Sequence, residues 1–511
     1  MSRAARRLNW GYVAVLLYAG CGDGAAPLAE DEDAPPGEPV TGDGQVWITT
    51  GLDSVDLVEQ VLGTKARQRA DAFAENGALV ALRVPRSALE TISEAQHELR
   101  QRCGGFVLHS SEGDALRALN ATASGGSRNK KAPSYTVDNA ATANALLQAV
   151  REENVLATIR HLSSYHSRFH TSQTSVEAVE WLLASWRELA RSRPDITVEL
   201  FSHASTPQRS VKMTMHGVSL GDEIVVVGGH LDSIGSRLTA PPTRDELPTL
   251  AALRAPGADD NASGIAVITE VARAAVELDY RPARSVVFYA YAAEEIGLVG
   301  SQEIAARASK EAQNIVGVMQ LDMMNFNAAP EPYITFVRDE TDPALNAFSI
   351  ALIDTYLHLP HKFRECGYAC SDHASWTRFG FPSTFPNEAA GSDRNPHAHT
   401  AEDTLELTHD SVAHSMHFAR LGAAFVAELA KGQLGPAAGA CTTDAGCATT
   451  ERCESGSCVS PPRVDKPFEA PAEHDDGCGC SLTTVSGATG RSAALLAALL
   501  WARRRRSRKP R

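Results

Sequence analysis

Seven residues in the middle of this 511-residue chain are of types that hold metal ions or move protons: His230, Asp232, Asp260, Glu294, Glu295, Asp322 and His399. Imidazole and carboxylate together suit zinc. Carboxylates gathered at one place repel one another unless a cation neutralises them. Taken singly, each residue has a plainer reading. Asp260 can cap a helix, and Glu294-Glu295 can be a charged pair at a helix start. Asp322 can accept backbone hydrogen bonds, and His397 or His399 can be a loop histidine. Taken together, Asp260, Glu294, Glu295 and Asp322 with His230 and His399 are enough for two metal ions that share one carboxylate. One acid is then left over as a base.

Such a set needs one rim to hold it. Residues 223–229 (E-I-V-V-V-G-G), 284–291 and 314–321 are short, continuous apolar runs, the pattern of strands buried on both faces. His230 and Asp232 follow the first run, Glu294 and Glu295 the second, Asp322 the third. In open α/β sheets, sites form outside the carboxyl ends of the strands. Asp260 arrives at the start of a helix predicted over 262–278, where Asp259, Asp260 and Asn261 would supply caps and acids. His399 comes from the loop 395–404. Further helices are predicted over 176–190 and 299–308. The fold class is α/β, a central, mostly parallel mixed sheet flanked by helices.

Composition narrows the function. Lys+Arg is 48 against Asp+Glu 62, a net charge of −14, which argues against nucleic-acid binding through the bulk field. Apolar residues at 43% and charged residues at 22% exclude wholesale disorder, collagen and coiled coil. The length exceeds one typical domain of about 100–200 residues. Six of the ten cysteines lie between Cys441 and Cys480.

The ends read as export and anchoring signals. In 1–21, Arg3, Arg6 and Arg7 precede an apolar run, the order of a signal peptide. Ala19-Gly20-Cys21 resembles a lipobox, which would make the protein a lipoprotein; ordinary cleavage is the alternative. Segment 22–45 is an acidic, Pro/Gly-rich tether. Residues 46–120 form a small α+β unit, with strands at 78–84 and 106–109 and a helix over 87–101. Residues 121–134 are a basic, cleavable linker. The central block is 135–431. In 432–476, a linker precedes Cys441, Cys447, Cys453 and Cys458, which in an exported chain most simply make two disulfides, with three possible pairings. The tail 477–511 joins a Gly-Cys-Gly-Cys stretch, an apolar run shorter than the about 20 residues of a membrane span, and a basic end. That order resembles myxobacterial C-terminal sorting signals. The expected location is extracellular or at the cell surface.

Six strings occur in order: G-G-H-L-D-S (228–233), A-P-G-A-D-D-N-A-S-G (255–264), Y-A-A-E-E-I-G-L-V-G-S (291–301), L-D-M (321–323), C-G-Y-A-C-S-D-H-A-S-W (366–376) and H-T-A-E-D-T (399–404). Over about 137–431 the chain resembles the bacterial leucyl aminopeptidases of the di-zinc M28 peptidase family. The resemblance implies a zinc-peptidase sandwich with two Zn2+ ions. Asp260 would bridge them, Glu295 and His399 would complete one, and His230 and Asp322 the other. Glu294 would be the general base, Tyr368 would help the developing oxyanion, and Asp232 would orient His230. Cys366 and Cys370 would form a disulfide loop beside the site. The 46–120 unit resembles the propeptide of the same enzymes, notably at Arg102–Phe106, and is expected to cover the site or aid folding.

The resemblance further implies a monomeric catalytic domain acting on peptides with a free N-terminus and mainly apolar first residues. Met323, Phe385, Cys366 and Cys370 would line the side-chain pocket. Asn387, Gly391 and Arg394 stand where relatives place aromatics, so a more open pocket, tolerant of polar residues, is expected. The rival readings are an M28-type carboxypeptidase, for which Arg394 is a candidate carboxylate binder, a glutaminyl cyclase, or a non-catalytic surface protein with a structural metal.

Overall fold

The computed structural model describes residues 44–63, 65, 73–76, 79–100, 105–109, 111–123, 135–235, 250–435, 452–454 and 457–459. The export segment 1–21, nearly all of the tether, most of the linker, Cys441, Cys447 and the 477–511 tail lie outside them. The chain forms two compact units that divide after Ala440.

The first unit begins with β1 (Gln45–Gly51), α1 (Val55–Leu62), β2 (Phe73–Asn76), β3 (Leu79–Pro85), α2 (Leu89–Arg100), β4 (Phe106–His109) and α3 (Glu112–Ala123). Their sheet has the order β2-β3-β1-β4 and is antiparallel throughout. Ile48, Val80, Leu82 and Val84, at alternating strand positions, bury one face of it against Val55, Val58 and Ile92 of the helices.

The remainder runs α4 (Ala140–Ala149), α5 (Glu152–Ser164), α6 (Gln173–Ala190), β5 (Ile196–Phe201), β6 (Ser210–Met215), β7 (Leu220–His230), α7 (Gly264–Glu277), β8 (Tyr280–Arg281), β9 (Arg284–Tyr291) and α8 (Val299–Lys310). Then come β10 (Asn314–Gln320), β11 (Ile334–Val337), α9 (Pro343–Leu352), β12 (His361–Arg364), α10 (His373–Arg378), β13 (Ser383–Thr384), β14 (Pro386–Asn387), α11 (Ala413–Ala430) and β15 (Gln433–Leu434). The main sheet has the order β13-β10-β7-β9-β6-β5. Its first four strands are mutually parallel, β6 runs against them, and β5, antiparallel to β6, runs with them again.

Side-chain alternation assigns the two faces of that sheet. Val225, Val227, Val286, Phe288, Ala290 and Met319 pack with Trp186, Ile265 and Phe425 of α6, α7 and α11. Val226, Val287, Tyr289, Tyr291 and Val318 pack with Ile304 of α8 and Trp376 of α10. Both faces are therefore dry, which is why β7, β9 and β10 read as unbroken apolar runs. Their three carboxyl ends come out side by side.

The second unit shows a short hairpin, β16 (Arg452–Glu454) with β17 (Ser457–Val459), in which Cys453 faces Cys458.

Candidate metal centre

Each strand end is fixed by bonds from its neighbours. Asp232 is fully buried. Its Oδ1 accepts the backbone N–H of Glu294 at 3.0 Å and its Oδ2 that of Glu295 at 3.1 Å. His230 Nδ1 lies 3.2 Å from the Asp232 carbonyl and 3.5 Å from its carboxylate. Asp232 thus ties the first strand end to the second as well as facing the histidine. Asp322 is held by Ser371, whose Oγ donates to Oδ2 at 2.6 Å.

The start of α7 departs from the expectation. Residues 258–263 make a π-type turn in which Asp260 (φ −110°, ψ 92°) and Asn261 (φ −131°, ψ 45°) are not helical, and the peptide between them is cis. Asn261 does the capping: its Oδ1 accepts from Gly264 N–H at 2.9 Å, and its Nδ2 donates to the Leu321 carbonyl at 2.9 Å. Neither Asp259 nor Asp260 caps the helix. The Asp260 carboxylate is left to face the cluster, while its N–H donates to Asp403 at 3.0 Å. Gly257 opens the turn at φ 51°, where an added Cβ would lie 2.2 Å from the Asp260 carbonyl.

Around Asp260 the side chains converge. His230 Nε2 is 3.1 Å from Asp260 Oδ1 and 3.5 Å from Asp322 Oδ1. His399 Nε2 is 2.9 Å from Asp260 Oδ2 and 3.5 Å from Glu295 Oε2. Three groups bring one donor atom from each member within 4.8 Å of the others: His230–Asp260–Asp322, Asp260–Glu295–His399 and His230–Glu294–Glu295. All these residues are almost wholly buried. His397, by contrast, is in none of the groups.

The electrostatics are those of a crowded, dry cluster. Burial above all, then the neighbouring carboxylates, holds Glu294 and Glu295 well above the usual carboxylate range. Burial pushes Asp260 the same way, but His230 and His399 override it and hold that carboxyl low. Burial disfavours a charged His230, yet Asp322, Asp232 and Asp260 together raise it.

The donor set fits zinc. Both oxygens of Asp260, both of Glu294 and Oδ1 of Asp322 are buried with no well-formed hydrogen bond among the described residues. Polar atoms buried in this way signal an unfilled requirement, and nitrogen and carboxylate oxygen in two triplets are what zinc takes.

The other expected residues are accounted for as follows. Cys366 and Cys370 are disulfide-bonded. Phe385 is buried against Val337 and Cys370, with Tyr368 half-buried on the same cluster. Met323 follows Asp322 at φ 56° and is buried.

Two functional residues escaped the sequence reading. Asp403 lies within one of the quoted strings, but nothing there marks it as the acceptor for the Asp259 and Asp260 N–H groups. Arg168 carries no sequence signal at all. It is fully buried and donates to the carbonyls of Leu231 (2.8 Å), Leu162 (3.0 Å), Pro256 (2.6 Å) and Gly257 (3.0 Å). It therefore clamps the loop after β7 to the turn that carries Asp260. Burial pushes its guanidinium down to about 10, so it stays charged beside the acids at neutral pH.

The N-terminal sheet packs on the same rim. Ser93 Oγ donates to the Glu295 carbonyl. The Phe106 ring occupies the space a side chain at Gly297 would need. Val107 packs with Leu298, Ala369 and Ala374, and Arg378 Nη1 donates to Thr49 Oγ1 at 3.2 Å.

Residues 210–423 match the family described as Peptidase family M28. A probable aminopeptidase of Saccharomyces cerevisiae is 34% identical over 274 residues, covering 52% of this chain and 70% of that protein. Leucine aminopeptidase 1 of Penicillium rubens is 34% identical over 298 residues, 56% of this chain and 73% of that protein. Among solved structures, Legionella pneumophila LapB aligns at a TM-score of 0.63 and 28% identity, over 76% of this chain and all of that one. The LapA aminopeptidase of the same organism aligns at 0.61 and 26%, over 77% of this chain and all of that one. The strand-end cluster, from His230 to His399, lies within the matched residues 210–423, and the chain belongs to peptidase family M28.

Proposed function

We propose that the protein is an exported, di-zinc aminopeptidase that hydrolyses the first peptide bond of peptides with a free N-terminus. The observation that carries the reading is Asp260, whose two carboxylate oxygens face different histidines, Oδ1 at 3.1 Å from His230 and Oδ2 at 2.9 Å from His399, with Glu294 in a third group alongside. His230 and Asp322 would hold one zinc ion, Glu295 and His399 the other, and Asp260 both. When bound, the ions activate a water and polarise the scissile carbonyl.

The chain's own residues do the rest. Glu294 accepts the proton of the attacking water and delivers it to the leaving amine. Asp232 fixes Glu294 and Glu295 through their backbone N–H groups. Tyr368 donates to the developing oxyanion. The excess of carboxylates on the rim receives the substrate's α-ammonium. The unit formed by β1–β4 acts as a covering segment, supported by its contacts at Glu295 and Gly297. The export pattern at the N-terminus and the paired Cys366 and Cys370 are in keeping with an oxidising location.

The test uses the full chain, before and after limited proteolysis between residues 124 and 134, on aminoacyl anilides and their N-acetylated forms, with and without chelator. Hydrolysis of the free-amine substrates alone, abolished by chelator and restored by zinc, is the expected result. Equal turnover of blocked substrates, or activity indifferent to chelation, would overturn the proposal.

A further inference from the structure

A line of buried hydrogen bonds leads away from Asp322, and the reaction as proposed makes no use of it. It passes through Ser371 and Gln320 to Asp372, all three fully buried. Gln320 is the last residue of β10, two positions before Asp322, and Ser371 and Asp372 directly precede α10. Gln320 Nε2 donates to Ser371 Oγ and to Asp372 Oδ2, both at 3.0 Å. Ser371 Oγ donates in turn to Asp322 Oδ2 at 2.6 Å.

These bonds run in one direction. A hydroxyl has a single proton to give. Because the Ser371 oxygen accepts from the Gln320 amide, its proton goes to Asp322. A side-chain amide has donors at one end and an acceptor at the other. Turned over, Gln320 would take the Ser371 proton on its Oε1, and Asp322 would lose its donor. Asp372 opposes that turn, since a carboxylate only accepts and so selects the NH2 end of Gln320. Burial holds the Asp372 carboxyl up at about 7, while the charge of His230 and the Ser301 hydroxyl pull it back. Cations in the neighbouring cluster would act in the same sense. The effect falls on Asp322. Its Oδ2 is engaged by Ser371, whereas its Oδ1 has no hydrogen bond among the described residues and lies 3.5 Å from His230 Nε2.

We infer that Asp372 is a positioning residue which, through Gln320 and Ser371, fixes the oxygen that Asp322 offers to its metal ion. The inference rests on the di-zinc reading above and adds to it a residue outside the ligand set.

The experiment follows zinc stoichiometry and stepwise zinc affinity by chelator competition in the full-length protein after linker proteolysis. It compares wild type, Asp372→Asn, Gln320→Met, Ser371→Ala and the double variant Ser371→Ala/Asp372→Asn, with thermal melting of the metal-free forms as the check on folding. Hydrogen-bond partners of metal ligands are worth about 10–100-fold in metal affinity. Each single variant should therefore lose at least about tenfold in affinity for one zinc ion and keep the other unchanged. The double variant should lose no more than Ser371→Ala alone, because Asp372 acts only through Ser371. A merely structural role would weaken both ions and add to the Ser371→Ala loss. Gln320→Met leaves α10 untouched and carries the test if Asp372→Asn does not fold. Wild-type affinity for both ions in Asp372→Asn or Gln320→Met, equal weakening of both ions, or losses that multiply in the double variant overturns the inference and leaves the di-zinc reading intact. A wild type that binds fewer than two zinc ions overturns the reading itself, and the inference with it.

Discussion

Arg168 places a full positive charge beside the acidic rim, and its guanidinium donates to backbone carbonyls from three separate stretches of chain. Arg168→Met would leave those four carbonyls without their donor. Unsatisfied buried groups cost about 1–3 kcal/mol each, so a loss of at least roughly 3 kcal/mol is expected, even after some repacking. Because the clamp joins the His230 side of the cluster to the Asp260 turn, zinc should also leave the variant faster in a chelator competition. Arg168→Lys should recover little, since one ammonium cannot reach both sides as the fork does. Wild-type thermal stability together with wild-type zinc retention would contradict this role. The contrast with the strand-end cluster explains what was legible. His230, Glu294, Glu295 and Asp322 each follow an apolar run that had to be a buried strand, so their shared rim could be read from spacing. A buried arginine in a loop looks like any surface arginine until packing encloses it.

At the scale of elements, β7, β9 and β10 were legible for the same reason, each being apolar on both faces. The turn before α7 was not, because Asn261 supplies its cap through tertiary as well as local bonds. Of the N-terminal sheet, β3 and β4 were legible as strands and β1 and β2 were not; a seat over the site was expected from the resemblance alone, since Phe106 and Ser93 meet Gly297 and Glu295 only in three dimensions. A pH dependence of that seat is expected. His109 bonds Thr49, which also accepts from Arg378 of α10. Burial first, then the charge of Arg378, pushes the His109 imidazole down to about 3. Undocking moves it back toward its ordinary value of about 6.5. Between those values the undocked form binds more protons, so docking weakens as the pH falls from about 6.5 toward 3 and is unaffected above that window. After cleavage of the linker, the N-terminal segment should co-elute with the rest of the chain on gel filtration at neutral pH and separate at pH 4. His109→Gln should blunt that difference. Release that is equally complete at both pH values would contradict the account.

For the whole molecule, the balance of charge and apolar content indicated a globular, acidic protein, and the similarity to solved aminopeptidase structures covers most of the first compact unit. The segments proposed to govern export and anchoring lie outside the described residues. Catalysis as proposed needs one division of labour: five residues would hold two ions, and Glu294, beside them, would move the proton. The most direct test is to measure metal content and kcat together in the processed wild type and in Glu294→Gln. Two zinc ions per chain in both proteins are expected, with kcat lowered at least about a hundredfold in the variant, the low end for loss of a general base. A Glu294→Gln protein that keeps full activity, or a fully active wild type that carries no zinc, would contradict the account at its centre.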